Sequence, residues 1–140
     1  MRLGRGRFMA PLACEHILHT RLWILTRDLI YIDSRGFTNR VPQGFIINGL
    51  STPFFLWWLW PPFGADYDEG AGLHDWTYGG TEYPRHLCDW LILDALISLS
   101  RQVKSRPKRY WNIISAVLFF VGLRLFGWYS FNKNRKRLRK

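Results

Sequence analysis

Apolar and polar positions change their period along this chain. Between Thr20 and Ile47 they alternate in short runs, with Leu22 and Ile24, then Leu29 and Tyr31, on every second position. Turn signals separate the runs at Arg27-Asp28, Asp33-Ser-Arg-Gly36 and Pro42-Gln-Gly44, a spacing that predicts a small antiparallel meander. Next comes Phe54-Phe-Leu-Trp-Trp-Leu-Trp60, closed by Pro61-Pro62. This run is too short to cross a bilayer, which takes about 20 apolar residues. It is either a wedge of core or an exposed aromatic surface. In the second case Phe54, Phe55, Trp57, Trp58 and Trp60 are its docking side chains.

Beyond Gly64 the period becomes helical. Asp66 or Asp68 suits the cap of a helix running to about Tyr78, which Gly79-Gly80 ends. Pro84 suits the first turn of a second helix, whose Leu87, Leu91, Ala95 and Leu99 share one face. Residues 101–108 read as a basic connector, and a third helix is predicted from about Tyr110 to Trp128. The uncharged stretch from Ile113 to Leu123 is about half a membrane span, which favours a buried core helix and no transmembrane segment. The alternative is an interfacial anchor, because Trp111, Trp128 and the basic residues that follow suit lipid headgroups. The expected architecture is one α+β domain over residues 1–132. A small antiparallel sheet from the N-terminal third packs on an α-helical hairpin and a C-terminal helix, with 133–140 as a frayed basic tail.

Composition narrows the class. A chain of 140 residues fits one small domain, and 48% hydrophobic with 21% charged residues excludes wholesale disorder. Two cysteines, Cys14 and Cys88, exclude a disulfide-dense scaffold, and neither belongs to a CxxC pair. The basic opening Met1-Arg-Leu-Gly-Arg-Gly-Arg7 has no apolar run behind it, so no secretory signal peptide is expected. The net charge of +10 divides unevenly. Residues 41–100 hold seven acids and one base, Arg85, whereas residues 101–140 hold twelve bases and no acid. An acidic middle suggests a cation site, and a basic end suggests a phosphate-bearing partner, either DNA or a lipid surface. Lys133, Arg135, Lys136, Arg137, Arg139 and Lys140 are the candidate phosphate contacts.

The stretch richest in chemistry is Leu73-His74-Asp75-Trp-Thr-Tyr78, with Cys88-Asp89 after the turn. His74 and Tyr78 share a helix face, and Asp75 lies about 100° round from His74. Folding the two helices into a hairpin about the Gly79–Tyr83 turn sets Asp89 across from His74. An imidazole facing a carboxylate keeps one tautomer and supports the imidazolium formed on proton uptake. Asp75 is then placed to hold a hard cation. The non-catalytic reading of the same residues is a His–Asp hydrogen bond joining two helices, with Asp75 on the surface.

These residues also carry a resemblance. Val41-Pro-Gln-Gly-Phe45, Asn48-Gly-Leu-Ser-Thr-Pro53, Leu56-Trp-Trp-Leu59, Leu73-His-Asp75 with Tyr78, and Asp89 resemble a bacteriophage and prophage family known as domain of unknown function thirteen-fifty-three. The likeness covers residues 20–128, with Arg124-Leu-Phe-Gly127 fitting the family's final helix. It implies phage or prophage origin, with residence in the bacterial host cytoplasm or the virion and other phage proteins as partners. The His74-Asp75-x-x-Tyr78 and Asp89 set is also similar to the active-site helices of phospholipase A2. That resemblance implies His74 as general base for a water, Asp89 as its orienter, Tyr78 as a supporting hydroxyl and Asp75 as a calcium ligand. Calcium would polarise an ester carbonyl. The glycine-rich calcium loop and the cysteine pattern of those enzymes are missing here. Asn48 stands where the phage family usually has Asp, leaving Asn48 as a weak second ligand.

Two functions of different class follow. One is a calcium-assisted ester hydrolase using His74, Asp89, Tyr78 and Asp75. The other is a non-catalytic virion or assembly component that docks through its aromatic segment and basic end to DNA, membrane or other phage proteins. Cys14, His16 and His19 have metal-capable types without a recognised spacing. The chain holds no GxxxxGK[ST], GxGxxG or GxSxG, which excludes the common nucleotide-binding and serine-hydrolase signatures.

Overall fold

The computed structural model describes residues 2–47 and 68–138, with side chains as far as Lys136. Asn48, the aromatic run 54–60, Arg139, Lys140 and the side chain of Arg137 lie outside the described residues. The fold is α+β, with strands in the N-terminal part and helices in the C-terminal part. The strands are β1 (Arg7–Phe8), β2 (Cys14–His16), β3 (Trp23–Leu25), β4 (Leu29–Ile32), β5 (Thr38–Val41) and β6 (Ile46–Ile47). The helices are α1 (Asp68–Gly79), α2 (Arg85–Gln102), α3 (Arg106–Phe126) and α4 (Trp128–Leu138).

The strands form two three-stranded antiparallel sheets, ordered β1-β4-β5 and β2-β3-β6, where the sequence pattern predicts one meander. β4 and β5 make the expected hairpin, with Leu29 opposite Val41 and Ile32 opposite Thr38. Its turn is held by Asp33, whose Oδ1 accepts the amides of Arg35 at 2.9 Å and Phe37 at 3.2 Å. Gly36 there has φ 88°, the left-handed region that favours glycine. Leu29 and Tyr31 are buried on alternate positions, as the pattern predicts. In β3 the register is one residue away from the expectation: Leu25 is buried, while Leu22 points to solvent. A one-residue shift exchanges the faces of a strand, and Trp23 packs on the core side with Leu25.

α2 divides the interior. On one side Leu25, Leu29, Tyr31, Val41, Ile47, Leu73 and Ala95 form a core between the sheets and α1. On the other, Ile92, Leu93 and Leu96 pack against Ala116 of α3, with Phe119, Phe120 and Leu123 half-buried beside them. Asp94, fully buried on α2, ties the helix to the sheet. Its Oδ1 accepts the Gly4 amide at 2.8 Å, and its Oδ2 accepts the Tyr31 hydroxyl at 2.7 Å and the Ser34 amide at 3.0 Å. Arg35 adds a stacking contact, its guanidinium 4.6 Å from the Trp90 ring centroid.

Two expectations for the C-terminal third are corrected. α3 is not a buried core helix, because Ser115 and Ala116 are its only buried residues. The chain beyond Lys133 is not frayed as far as it is described, because α4 continues to Leu138 and returns onto α1. Phe131 packs edge-on against Tyr78, with ring centroids 5.3 Å apart. Arg135 donates to the carbonyls of Tyr83 and, at 3.4 Å, Thr77, so a cation caps the end of α1 where carbonyls lack helical partners.

Candidate functional site

The hairpin of α1 and α2 brings His74, Tyr78 and Asp89 together under the C-terminal end of α3. Gly79-Gly80 ends α1 as predicted, and Pro84 stands immediately before α2 with φ −66°. Asp89 is fully buried and heavily partnered. The Tyr78 hydroxyl donates to its Oδ1, Arg124 Nη1 donates to its Oδ2 at 2.9 Å, and Arg85 Nε stands 3.6 Å from the same oxygen. Arg85 also donates through Nη2 to the carbonyls of Leu123 at 2.6 Å and Arg124 at 2.7 Å. These bonds join α2 to the last turn of α3, where positive charge is favoured.

His74 does not make the expected hydrogen bond to Asp89. Both ring nitrogens are buried and have no hydrogen-bond partner among the described residues. The ring lies 4.2 Å from that of Tyr78 and meets Phe119 edge-on at 5.9 Å. The nearest carboxylate contact is to Asp75, Nδ1 to Oδ1 at 3.9 Å, too long for a hydrogen bond. Burial pushes the imidazole down to about 4, and the charge of Asp89 only partly opposes that shift. The ring is therefore neutral near pH 7. Burial, reinforced by the hydrogen bond to Asp89, holds the Tyr78 phenol well above its ordinary value.

Asp75 turns the other way, as its helical position dictates. It lines an open cleft of about 480 Å³ together with Leu22, Phe45, Ile46, Gly79 and Asn134. His74 is not among the cleft's lining residues: the imidazole stays behind the cleft wall, although its Nδ1 lies 3.9 Å from Asp75 Oδ1. Calcium takes about six to eight oxygen ligands. Asp75 is the acid the described residues bring to this cleft, and Asn48, the other expected ligand, lies outside them. Among the described residues no group of three His, Cys, Asp or Glu side chains could hold a metal ion. His16 Nε2 donates instead to the Thr20 carbonyl at 2.6 Å. Cys88 is buried, with Sγ 3.3 Å from the Thr77 carbonyl, and burial pushes its thiol up to about 11.

The proposed phosphate contacts separate on the surface. Lys133 and Lys136 are exposed on α4, whereas Arg135 is half-buried against α1 and stacks on Phe131 at 4.6 Å. Sequence reasoning missed the roles of Arg85, Arg124 and Arg135. Arg85 carried a signal, since it is the sole base of the acidic middle and stands four residues before Asp89 on one helix. Arg124 and Arg135 reach their partners only through tertiary folding.

This is an α+β domain whose helices are cross-linked by a buried carboxylate and arginines. The chain belongs to the family described as "Protein of unknown function (DUF1353)", whose model matches residues 23–113. The match takes in β3 to β6, α1, α2 and the start of α3, and it stops short of the expected residue 128. Most of α3 and all of α4 lie beyond it. No curated protein and no solved structure matches the chain.

Proposed function

We propose that this chain is a phage- or prophage-encoded docking component without catalytic activity, attached to its assembly through the α3–α4 surface. One observation carries the reading. Trp111, Ile114, Leu118, Val121, Leu125 and Phe126 of α3 are all exposed, and apolar surface so concentrated on one helix marks an interaction site. The His74–Tyr78–Asp89–Arg124 cluster is then a packing device that fixes α3 over the helical hairpin. A general base needs a nitrogen within reach of the proton it takes, and both nitrogens of His74 are enclosed.

Fractionation of cells producing the chain tests this. The wild type is expected in the particulate fraction, with particles or membranes. Val121→Asp is expected in the soluble fraction, and His74→Phe should behave as wild type. A soluble wild type, or a His74→Phe variant that stays particulate but loses the chain's biological effect, overturns the reading.

A hydrolase is the second reading, and the orphaned imidazole favours it. Unpaired buried polar groups are rare, and functional sites are one place they occur. In that reading His74 is the base, Asp89 and Tyr78 set its surroundings, and Asp75 with Asn48 holds calcium. Tryptophan fluorescence during a calcium titration decides the metal part. A change that Asp75→Asn abolishes supports it, and no response at millimolar calcium removes it.

A further inference from the structure

We propose that the exposed face of α3 lies in the plane of an anionic lipid bilayer, with the helix in the headgroup region and the domain above it. The proposal rests on the docking reading and names the partner of that surface. Trp111, Ile114, Leu118, Val121 and Leu125 recur every three or four residues, so they form one stripe, about 21 Å long at 1.5 Å per residue. Each is at least 46% exposed. The opposite side of the helix packs on α2 through Ala116, Phe119, Phe120 and Leu123. α3 is long and apolar enough to cross a membrane, but a helix bound to a polar domain along one whole side presents only the other side to lipid. That geometry is interfacial.

Two features select lipid over other occupants. Aromatic residues with polar edges stand at both ends of the stripe, Tyr110 and Trp111 at one and Trp128 and Tyr129 at the other, all exposed. Such side chains favour the boundary between headgroups and acyl chains. The charge around the stripe is of one sign: Arg101, Lys104 and Arg106 precede it, Lys133 and Lys136 follow it, all exposed, and residues 101–140 contain no acid. Anionic headgroups complement that field, and each cation near such a surface adds attraction. A second copy of the chain would bring the same positive charge and be repelled. A nucleic acid would meet the cations and leave the aliphatic stripe without a partner.

Flotation of the full chain tests the proposal, using vesicles of phosphatidylcholine alone and of phosphatidylcholine mixed with phosphatidylglycerol. The chain is expected to float with the mixed vesicles, shift its tryptophan emission to the blue and dissociate in part as salt is raised. Val121→Asp and Leu118→Asp should each weaken binding roughly ten-fold or more, with unchanged circular dichroism. Lys133→Glu should weaken binding to the mixed vesicles alone. Failure to float, or flotation that ignores both aspartates, overturns the lipid proposal. The docking reading survives that failure if Val121→Asp turns an oligomer into a monomer by light scattering or releases the chain from the particulate fraction. If it does neither, both fall.

Discussion

Two apolar helices lie side by side in this fold and meet opposite environments. α2 has ten of its eighteen residues buried, while α3 has two of twenty-one. The buried helix nevertheless carries carboxylates inside it, Asp89 and Asp94, and the exposed one carries tryptophan, leucine and valine outside. Apolar content alone therefore does not separate the core helix from the exposed one. Neighbours on both sides do: α2 has the sheets and α1 on one flank and α3 on the other, whereas α3 has α2 on a single flank. A carboxylate is tolerated inside α2 because donors surround it, and unpartnered apolar groups persist outside α3.

The sharpest way to break this contrast is to remove Asp89. Asp89→Ala leaves Arg124 and Arg85 facing a cavity and Tyr78 without an acceptor, and should cost about 3–5 kcal/mol in urea unfolding. Ile92→Ala, at the seam between α2 and α3, should cost about 2–4 kcal/mol from lost packing and the cavity left. Equal losses from substitutions on the outer face of α3 would erase the distinction between the helices.

His74 adds a pH dependence to the buried side. The folded imidazole is held down to about 4, while an unfolded one takes its proton near 6.5. Between those values the unfolded chain binds more protons, so stability falls as the pH drops through that window. The full effect is about 3 kcal/mol, read from melting temperature against pH. His74→Phe should flatten the curve and leave stability at pH 7 equal or higher, because it removes two unpaired nitrogens. Gly127, at the junction of α3 and α4, is the next test. A Cβ there meets the Leu123 carbonyl oxygen at 2.5 Å and the Tyr78 hydroxyl oxygen at 3.0 Å. Gly127→Ala should cost about 1–3 kcal/mol by straining the α3–α4 junction and crowding the Tyr78 hydroxyl.

Features set by neighbours in sequence were the legible ones. Gly79-Gly80 ends α1, Pro84 opens α2, and the alternation around Tyr31 marks β4, each from a few adjacent residues. β1 and β2, at two and three residues, are too short to show a period. The site was half legible. Hairpin geometry brings His74, Tyr78 and Asp89 near one another, but it cannot reveal that Arg124, 35 residues further on, pairs with the carboxylate expected to face the imidazole. The return of α4 is hidden for the same reason, since the Tyr83 carbonyl that receives Arg135 lies 52 residues earlier. The sequence favoured a buried α3 over the interfacial alternative because an uncharged helical stretch reads alike whether protein or lipid covers it.

Val121→Asp is the smallest expected change in stability and the most informative about function. Val121 is 46% exposed on the outer stripe, opposite the residues that pack on α2. A charge there keeps its hydration in the free chain, so unfolding should move by no more than about 0.5 kcal/mol. At a lipid boundary the same carboxylate must lose water among apolar chains and meets anionic headgroups of its own sign. Stability and vesicle binding therefore part company at this position, whereas for Ile92→Ala binding can fall only as the folded fraction falls. Measuring both quantities for both variants separates a helix that holds the fold from one that attaches it. A Val121→Asp protein that unfolds as readily as Ile92→Ala would show that α3 belongs to the core after all.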